Sequence, residues 1–178
     1  MKVLVTGSSG FVGRAIMARF PDAIGLDPVA SPSTQIIDDL SDRGRLRQLI
    51  AREKITHIIH AGGVSGPMVM ANDPAGVIAI NVTGSMNLLS EAMTGGVTTF
   101  VYCSSVAAIG DFYESEPIGE NYPMRPGSTY GCSKAAIDYV LRGLWKKVPL
   151  DICSLRLTAV YGPGARPNST PIRSCALL

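Results

Sequence analysis

Residues 2–13 read KVLVTGSSGFVG, and the reading of this stretch decides the fold. Lys2–Thr6 is a short apolar, β-branched run, the composition of a buried strand. Gly7, Gly10 and Gly13 follow at three-residue spacing, and a helical pattern runs from Phe11 to Phe20. A strand that breaks into glycines and restarts as a helix suits a pyrophosphate. The first glycine permits the tight turn, the second lets the anion reach the backbone, and the third lets helix and strand pack closely. The helix N-terminus adds unpaired N–H groups and a positive dipole end. The spacing departs by one residue from G-x-G-x-x-G, so the strand–loop–helix context carries the reading.

Outward from the loop, Ala23–Asp27 is a second strand ending in an acid. Asp27 stands close to the roughly 20-residue offset at which a carboxylate meets the adenosine ribose hydroxyls. Such a group repels a 2′-phosphate, and Pro28, Val29 and Ala30 provide no cation to welcome one, so the pattern predicts NAD over NADP. Strands are then predicted at Gln35–Asp39, Ile55–Gly62, Thr98–Ser105 and Asp151–Leu157. Between them lie a charged helix over Asp42–Glu53, a long helix over 73–95 and another over 128–146. Asp73-Pro74 starts the long helix as N-cap and first-turn proline, and Gly95-Gly96 stops it. This alternation predicts the α/β class, a doubly wound parallel sheet of Rossmann type.

The 178 residues suffice for one domain with a substantial core. A net charge of +2 gives nucleic acid no basic surface to bind, and 46% hydrophobic against 17% charged residues excludes a disordered chain. Four cysteines form no C-x-x-C pair, so no metal site is expected. Cys103 and Cys153 lie in apolar runs and are expected to be buried thiols, which favours a reducing, cytoplasmic setting. The opening strand leaves no room for a signal peptide, and no apolar run is long enough for a membrane span. The acceptor patterns at Asn81 and Asn168 are therefore expected to be chance matches. Thr170-Pro171 resembles a helix start close to Leu178, which suggests an incomplete chain; the final CALL matches a prenylation signal without a supporting basic run.

The stretch STYGCSK, 128–134, places Tyr130 and Lys134 one helical turn apart on one face. A free tyrosine is a poor base near neutral pH, and a neighbouring cation favours its phenolate. Taken alone, the pair is a common accident. It stands here downstream of the glycine loop and of a strand ending in Ser104-Ser105.

Together these stretches resemble the NAD-dependent epimerase/dehydratase family, the extended branch of the short-chain dehydrogenase/reductases. The likeness runs from Met1 to about Arg166 through TGSSGFVG, DDLSD, HAGG (60–63), NVTGSMNLL (81–89), SSVAAIG, Tyr-x-x-x-Lys and LRLTAVYGPG (155–164). It implies that Ser105 holds a substrate hydroxyl, that Tyr130 is the base, that Lys134 also reaches the nicotinamide ribose, and that Asn81 supports the site. For NAD it implies contacts from Gly7, Ser9, Gly10, Phe11, Val12 and Gly13 in the loop. Asp27, Asp39 and Leu40 would meet the adenosine end. His60, Ala61, Gly62, Ser104, Thr158, Tyr130 and Lys134 would lie beside the rest. Read on their own, His60 packs in the turn after its strand, Asn81 is a buried helix polar and Arg156 pins the sheet edge.

The resemblance divides the chain into a cofactor domain, residues 1–166, and the start of a substrate region, 167–178, with a seventh strand and the substrate domain missing. It implies a nucleotide-sugar substrate and a homodimer formed through the two long helices, with small residues Gly76, Gly84, Ala135 and Ala136 allowing close approach. Val106 and Ala107 follow Ser105 where dehydratases of the family carry Asp-Glu, which disfavours a 4,6-dehydratase. A dehydrogenase of a sugar acid and a non-catalytic NAD-binding module are the rival expectations.

Overall fold

The computed structural model describes residues 1–111 and 117–164. Strands β1 (Val3–Thr6), β2 (Ile24–Asp27), β3 (Ile36–Ile37), β4 (His57–His60), β5 (Thr99–Ser105) and β6 (Asp151–Leu157) form one sheet. Its order is β3-β2-β1-β4-β5-β6, and every pairing is parallel. Chain order therefore reverses between β1 and β4, and a crevice opens there at the carboxyl ends of the strands. The helices are α1 (Phe11–Arg19), α2 (Arg43–Arg52), α3 (Pro74–Ile78), α4 (Gly84–Thr94) and α5 (Thr129–Leu144). The sequence expectation of a doubly wound Rossmann sheet holds.

Register explains why the site sits where it does. One row across the four central strands is Leu4–Ile58–Phe100–Ile152, the apolar floor of the main core. Two residues further along the same face the row becomes Thr6–His60–Tyr102–Ser154. Strand alternation keeps both rows on one face, so the core changes from apolar to polar as it nears the crevice. Helices α2, α4 and α5 cover this face through Leu46, Ile50, Leu88, Leu89 and Ile137. On the opposite face, α1 packs Met17 against Val3 and Val5.

Two expectations are corrected. The helix expected as one piece over 73–95 is interrupted: Ala79–Thr83 is a π-turn between α3 and α4, closed by Gly84 N–H donating to the Ala79 carbonyl. Such inserted turns mark places where side chains compete for backbone groups, and Ser85 Oγ here bonds the Asn81 carbonyl. Cys153 is exposed, unlike buried Cys103. It lies on β6, an edge strand on which Asp151, Cys153 and Leu155 all face outward with no described helix over them. Among the described residues no helix is long and apolar enough to cross a membrane. The expected domain limit at residue 166, Asn168, the helix start at Thr170-Pro171, Cys175 and the terminal CALL lie outside the described residues.

A charged clamp ties α2 to α4. Glu91 is fully buried and accepts from Arg43 Nε at 2.7 Å and Arg47 Nε at 2.9 Å, while both arginines keep more than half their side-chain surface in water. The Arg47 hydrogen bond leads in holding the Glu91 carboxyl below its usual range, against the opposing effect of burial. Glu91→Ala is expected to cost about 2 kcal/mol, the upper end discounted for the exposed partners, or roughly 4–8 °C in Tm. Because the folded pKa is depressed, this stability is complete above the unfolded value near 4.5 and fades as pH falls through the folded one. Paired melts at pH 7 and pH 3 check it. A difference between parent and variant that fails to shrink at low pH would refute the assignment.

Candidate active site

The glycine loop has the conformation its sequence demands. Gly7 has φ +73°, and a Cβ there would press on Ala61 and Gly62 at 2.6 Å. A Cβ on Gly13 would overlap the Gly7 carbonyl. A Cβ on Gly10, by contrast, would make a single tight contact, with that same carbonyl at 3.2 Å. Gly10 is the N-cap of α1 and bears no side-chain cap, so the first turn of the helix has no internal acceptor for its N–H groups. Asp27 reaches the loop from the end of β2. One carboxylate oxygen accepts from Ser9 N–H at 3.1 Å and the other from Val29 N–H at 2.8 Å. Each oxygen keeps further acceptor capacity. Asp39 is capped by Ser41, whose hydroxyl and N–H hold its carboxyl below the ordinary value, and Leu40 packs on Gly84.

At the crevice, one cleft is lined by Val12 of α1, Ala61–Ser65 after β4, Cys103–Ser105 ending β5, Tyr130 and Lys134 of α5, and Leu157, Thr158 and Val160. The sequence-predicted residues Ser104, Ser105, Tyr130, Lys134, Val12, Ala61, Gly62 and Thr158 thus share a single opening. Ser128 starts α5 by accepting from Gly131 N–H at 3.1 Å, which fixes where Tyr130 leaves the first turn. Gly131 is needed because a Cβ would run into the Ala107 carbonyl. Ser105 caps the short turn of residues 106–108 through Ala107 N–H.

Lys134 is buried, and among the described residues no carboxylate forms an ion pair with it. Its ammonium donates to the Cys103 carbonyl at 2.9 Å and lies 4.8 Å from the Tyr102 ring centre and 5.9 Å from that of Tyr130. Burial brings its pKa down to about 8. Tyr102, wholly enclosed beneath it, has its phenol pushed up chiefly by burial and is not a base.

Three predicted residues make buried hydrogen bonds around the cleft. Ser104 lines the cleft beside Ser105, and its hydroxyl donates to Asp138 Oδ2 at 3.1 Å. Arg156 Nε meets the same oxygen at 3.0 Å, so Asp138 of α5 ties α5 to both β5 and β6. His60 is interior: Nδ1 contacts Thr6 Oγ1 at 2.6 Å and Nε2 contacts Ser85 Oγ at 2.7 Å. Asn81 bonds Val64 with both ends of its amide, and Ser133 with its nitrogen. Sequence reasoning missed Asp138, although it lies one helical turn beyond Lys134, and it missed Ser85 and Tyr102. Among the described residues no group of His, Cys, Asp and Glu is arranged to hold a metal.

Comparison with known proteins places this geometry. UDP-glucose 4-epimerase of Erwinia amylovora is 29% identical over 173 residues, covering 84% of this chain and 50% of that one. A uronate dehydrogenase of Pseudomonas putida is 27% identical, over 90% of this chain and 61% of its own. The crystal structure of Thermus thermophilus UDP-glucose 4-epimerase with NAD superposes with a TM-score of 0.86 at 30% identity, covering 99% of this chain and 61% of that one. The chain therefore spans about half to three-fifths of the length of these relatives. The family model described as NAD dependent epimerase/dehydratase family matches residues 3–176, and the chain belongs to that family.

Proposed function

We propose that the chain is the NAD-binding, catalytic part of a sugar epimerase or oxidoreductase, with a nucleotide sugar as substrate. The observation that carries this reading is the single cleft that joins the phosphate-loop helix to Ser105, Tyr130 and Lys134. The loop fits NAD on its own geometry: Gly10 leaves the space a Cβ would fill, and α1 offers unpaired N–H groups beside it. Gly7, Ser9, Phe11, Val12 and Gly13 would cradle the pyrophosphate, and Asp27 would accept from the ribose hydroxyls. Bound there, NAD supplies the hydride acceptor.

The residues of the chain do the rest. Ser105 orients the substrate hydroxyl. Tyr130 removes its proton, and the Lys134 charge favours the phenolate. Lys134 would also hold the nicotinamide ribose, and Asn81 keeps the cleft wall at Val64 in place. Val106 and Ala107 offer no carboxylate for eliminating water, which favours epimerisation or oxidation over dehydration. A homodimer through the α3–α4 and α5 layer fits the exposure of Ile78, Ile80 and Tyr139. Oxidation of a free sugar acid is the second reading, favoured by the likeness to a uronate dehydrogenase.

Calorimetric titration with NAD and NADP tests the cofactor assignment. NAD is expected to bind at least tenfold more tightly than NADP, and Asp27→Ala to lose about tenfold in NAD affinity, the scale of a lost charge-assisted hydrogen bond. Equal affinity for both nucleotides would defeat it. Incubation of the full-length protein with UDP-glucose and with free uronic acids then separates the chemistries. Interconverted sugar without net NADH marks an epimerase, and accumulating NADH a dehydrogenase. Light scattering on the same sample reads the dimer.

A further inference from the structure

A chain of buried hydrogen bonds runs from the end of β1 to the first turn of α5, and its direction can be assigned from its own partners. Ser85 Oγ has one proton, and the Asn81 carbonyl at 2.5 Å takes it. Ser85 must then accept from His60 Nε2, so the ring carries its proton on Nε2 and Nδ1 accepts from Thr6 Oγ1. Thr6 in turn accepts from Gly62 N–H at 3.3 Å. Every proton along Gly62, Thr6, His60, Ser85 and Asn81 points the same way. The Asn81 side chain continues the path: Oδ1 accepts from Val64 N–H at 2.8 Å, and Nδ2 donates to Val64 O and to Ser133 Oγ. Ser133 Oγ donates to the Tyr130 carbonyl at 2.7 Å. Thr6, His60, Asn81, Ser85 and Ser133 are each no more than 2% exposed, so no water competes for these bonds.

The path has two ends that matter. Thr6 immediately precedes Gly7, the pivot of the phosphate loop. Tyr130 is the residue read above as the base. The His60 ring, wedged beside Phe100 and Tyr102, is the only member that spans the interval from β1 to the α3–α4 layer. Burial, with the Lys134 charge adding to it, drives its pKa down to about 3, so the neutral tautomer the chain requires is the one that persists.

We propose that His60 is a positioning residue that couples the placement of the phosphate loop to the π-turn at Asn81 and, through Asn81 and Ser133, to the turn bearing Tyr130. This assignment rests on the functional reading above only for what the two ends do.

Hydrogen exchange on the cofactor-free protein tests the coupling without any ligand. In His60→Phe, which keeps a ring and loses both nitrogens, amide protection is expected to fall about tenfold in residues 7–10 and in 79–85, with α2 and β5 unchanged. His60→Asn can reach Thr6 but not Ser85, and is expected to restore protection in 7–10 alone. His60→Gln can reach Ser85 but not Thr6, and should restore 79–85 alone. If the Phe variant does not fold, this split between the two amides decides. Loss of protection confined to residues around 60, or identical behaviour of Asn and Gln, overturns the proposal. Nitrogen NMR of the parent, which has only two histidines, must also show His60 protonated on Nε2 alone. NAD titration of the same variants keeps the two readings apart. If the parent binds no NAD, the functional reading fails and the exchange result still judges the coupling. If the parent binds NAD and His60→Phe binds it equally with unchanged exchange, the coupling fails and the function stands.

Discussion

Replacing Tyr130 with Phe in the full-length protein is expected to lower kcat by about 10²- to 10⁴-fold, the range for losing a positioned acid–base group, while NAD affinity and Tm stay at parent values. The three readouts separate for a structural reason. Among the described residues the Tyr130 hydroxyl makes no hydrogen bond, so its removal costs the fold nothing, and the ring remains to line the cleft. Lys134 sets the pH response. Burial brings the pKa of its ammonium down to about 8, against the opposing charges of Cys103 and Asp138. It is charged below that value and loses its charge as pH rises through it, so support for the phenolate falls on the alkaline side. Activity of the parent should therefore decline above about pH 8. Lys134→Met should abolish this limb and most of the rate. A Tyr130→Phe variant within a factor of two of the parent would remove Tyr130 from the reaction.

What the sequence disclosed and what it withheld divide along a physical line. The glycine loop, Asp27 and the strand at Asp151–Leu157 were legible because each is a local pattern: a turn chemistry, a strand-end acid, an apolar run between breakers. The parallel order followed from alternation of strand and helix. The inner wiring was not legible, because it is set by which residues face one another across the sheet. That Thr6, His60, Tyr102 and Ser154 share one row depends on register between strands more than 40 residues apart. The π-turn had one faint signal, a serine four residues beyond Asn81, placed to bond back to its carbonyl. Cys153 shows the converse. An apolar run predicts burial only when something covers both faces, and an edge strand breaks that premise.

Gly13→Ala should be severely damaging although it adds a single methyl. Local propensity argues the opposite, since alanine is favoured over glycine inside a helix by about 1 kcal/mol. The packing decides the sign. The added Cβ would overlap the Gly7 carbonyl oxygen and lie 2.7 Å from its carbon and 2.9 Å from Ser8 Cα, all backbone atoms of the phosphate loop. No rotamer change can relieve that contact, so either α1 lifts from β1 or Gly7 leaves its turn at φ +73°. Overpacking of this kind costs about 1–3 kcal/mol or more, which exceeds the gain in propensity, and the loop that gives way is the one read as the pyrophosphate cradle. NAD affinity is expected to drop about 100-fold, the equivalent of roughly 2.7 kcal/mol, with a lowered Tm. Gly10→Ala is the control that separates fold from ligand. Its Cβ meets only the Gly7 carbonyl, at 3.2 Å, so the cofactor-free protein should melt near the parent temperature while NAD binding is lost to the filled space. If Gly13→Ala proved more stable than the parent and bound NAD equally well, helix propensity would have outweighed packing, and the role given to the third glycine would be wrong.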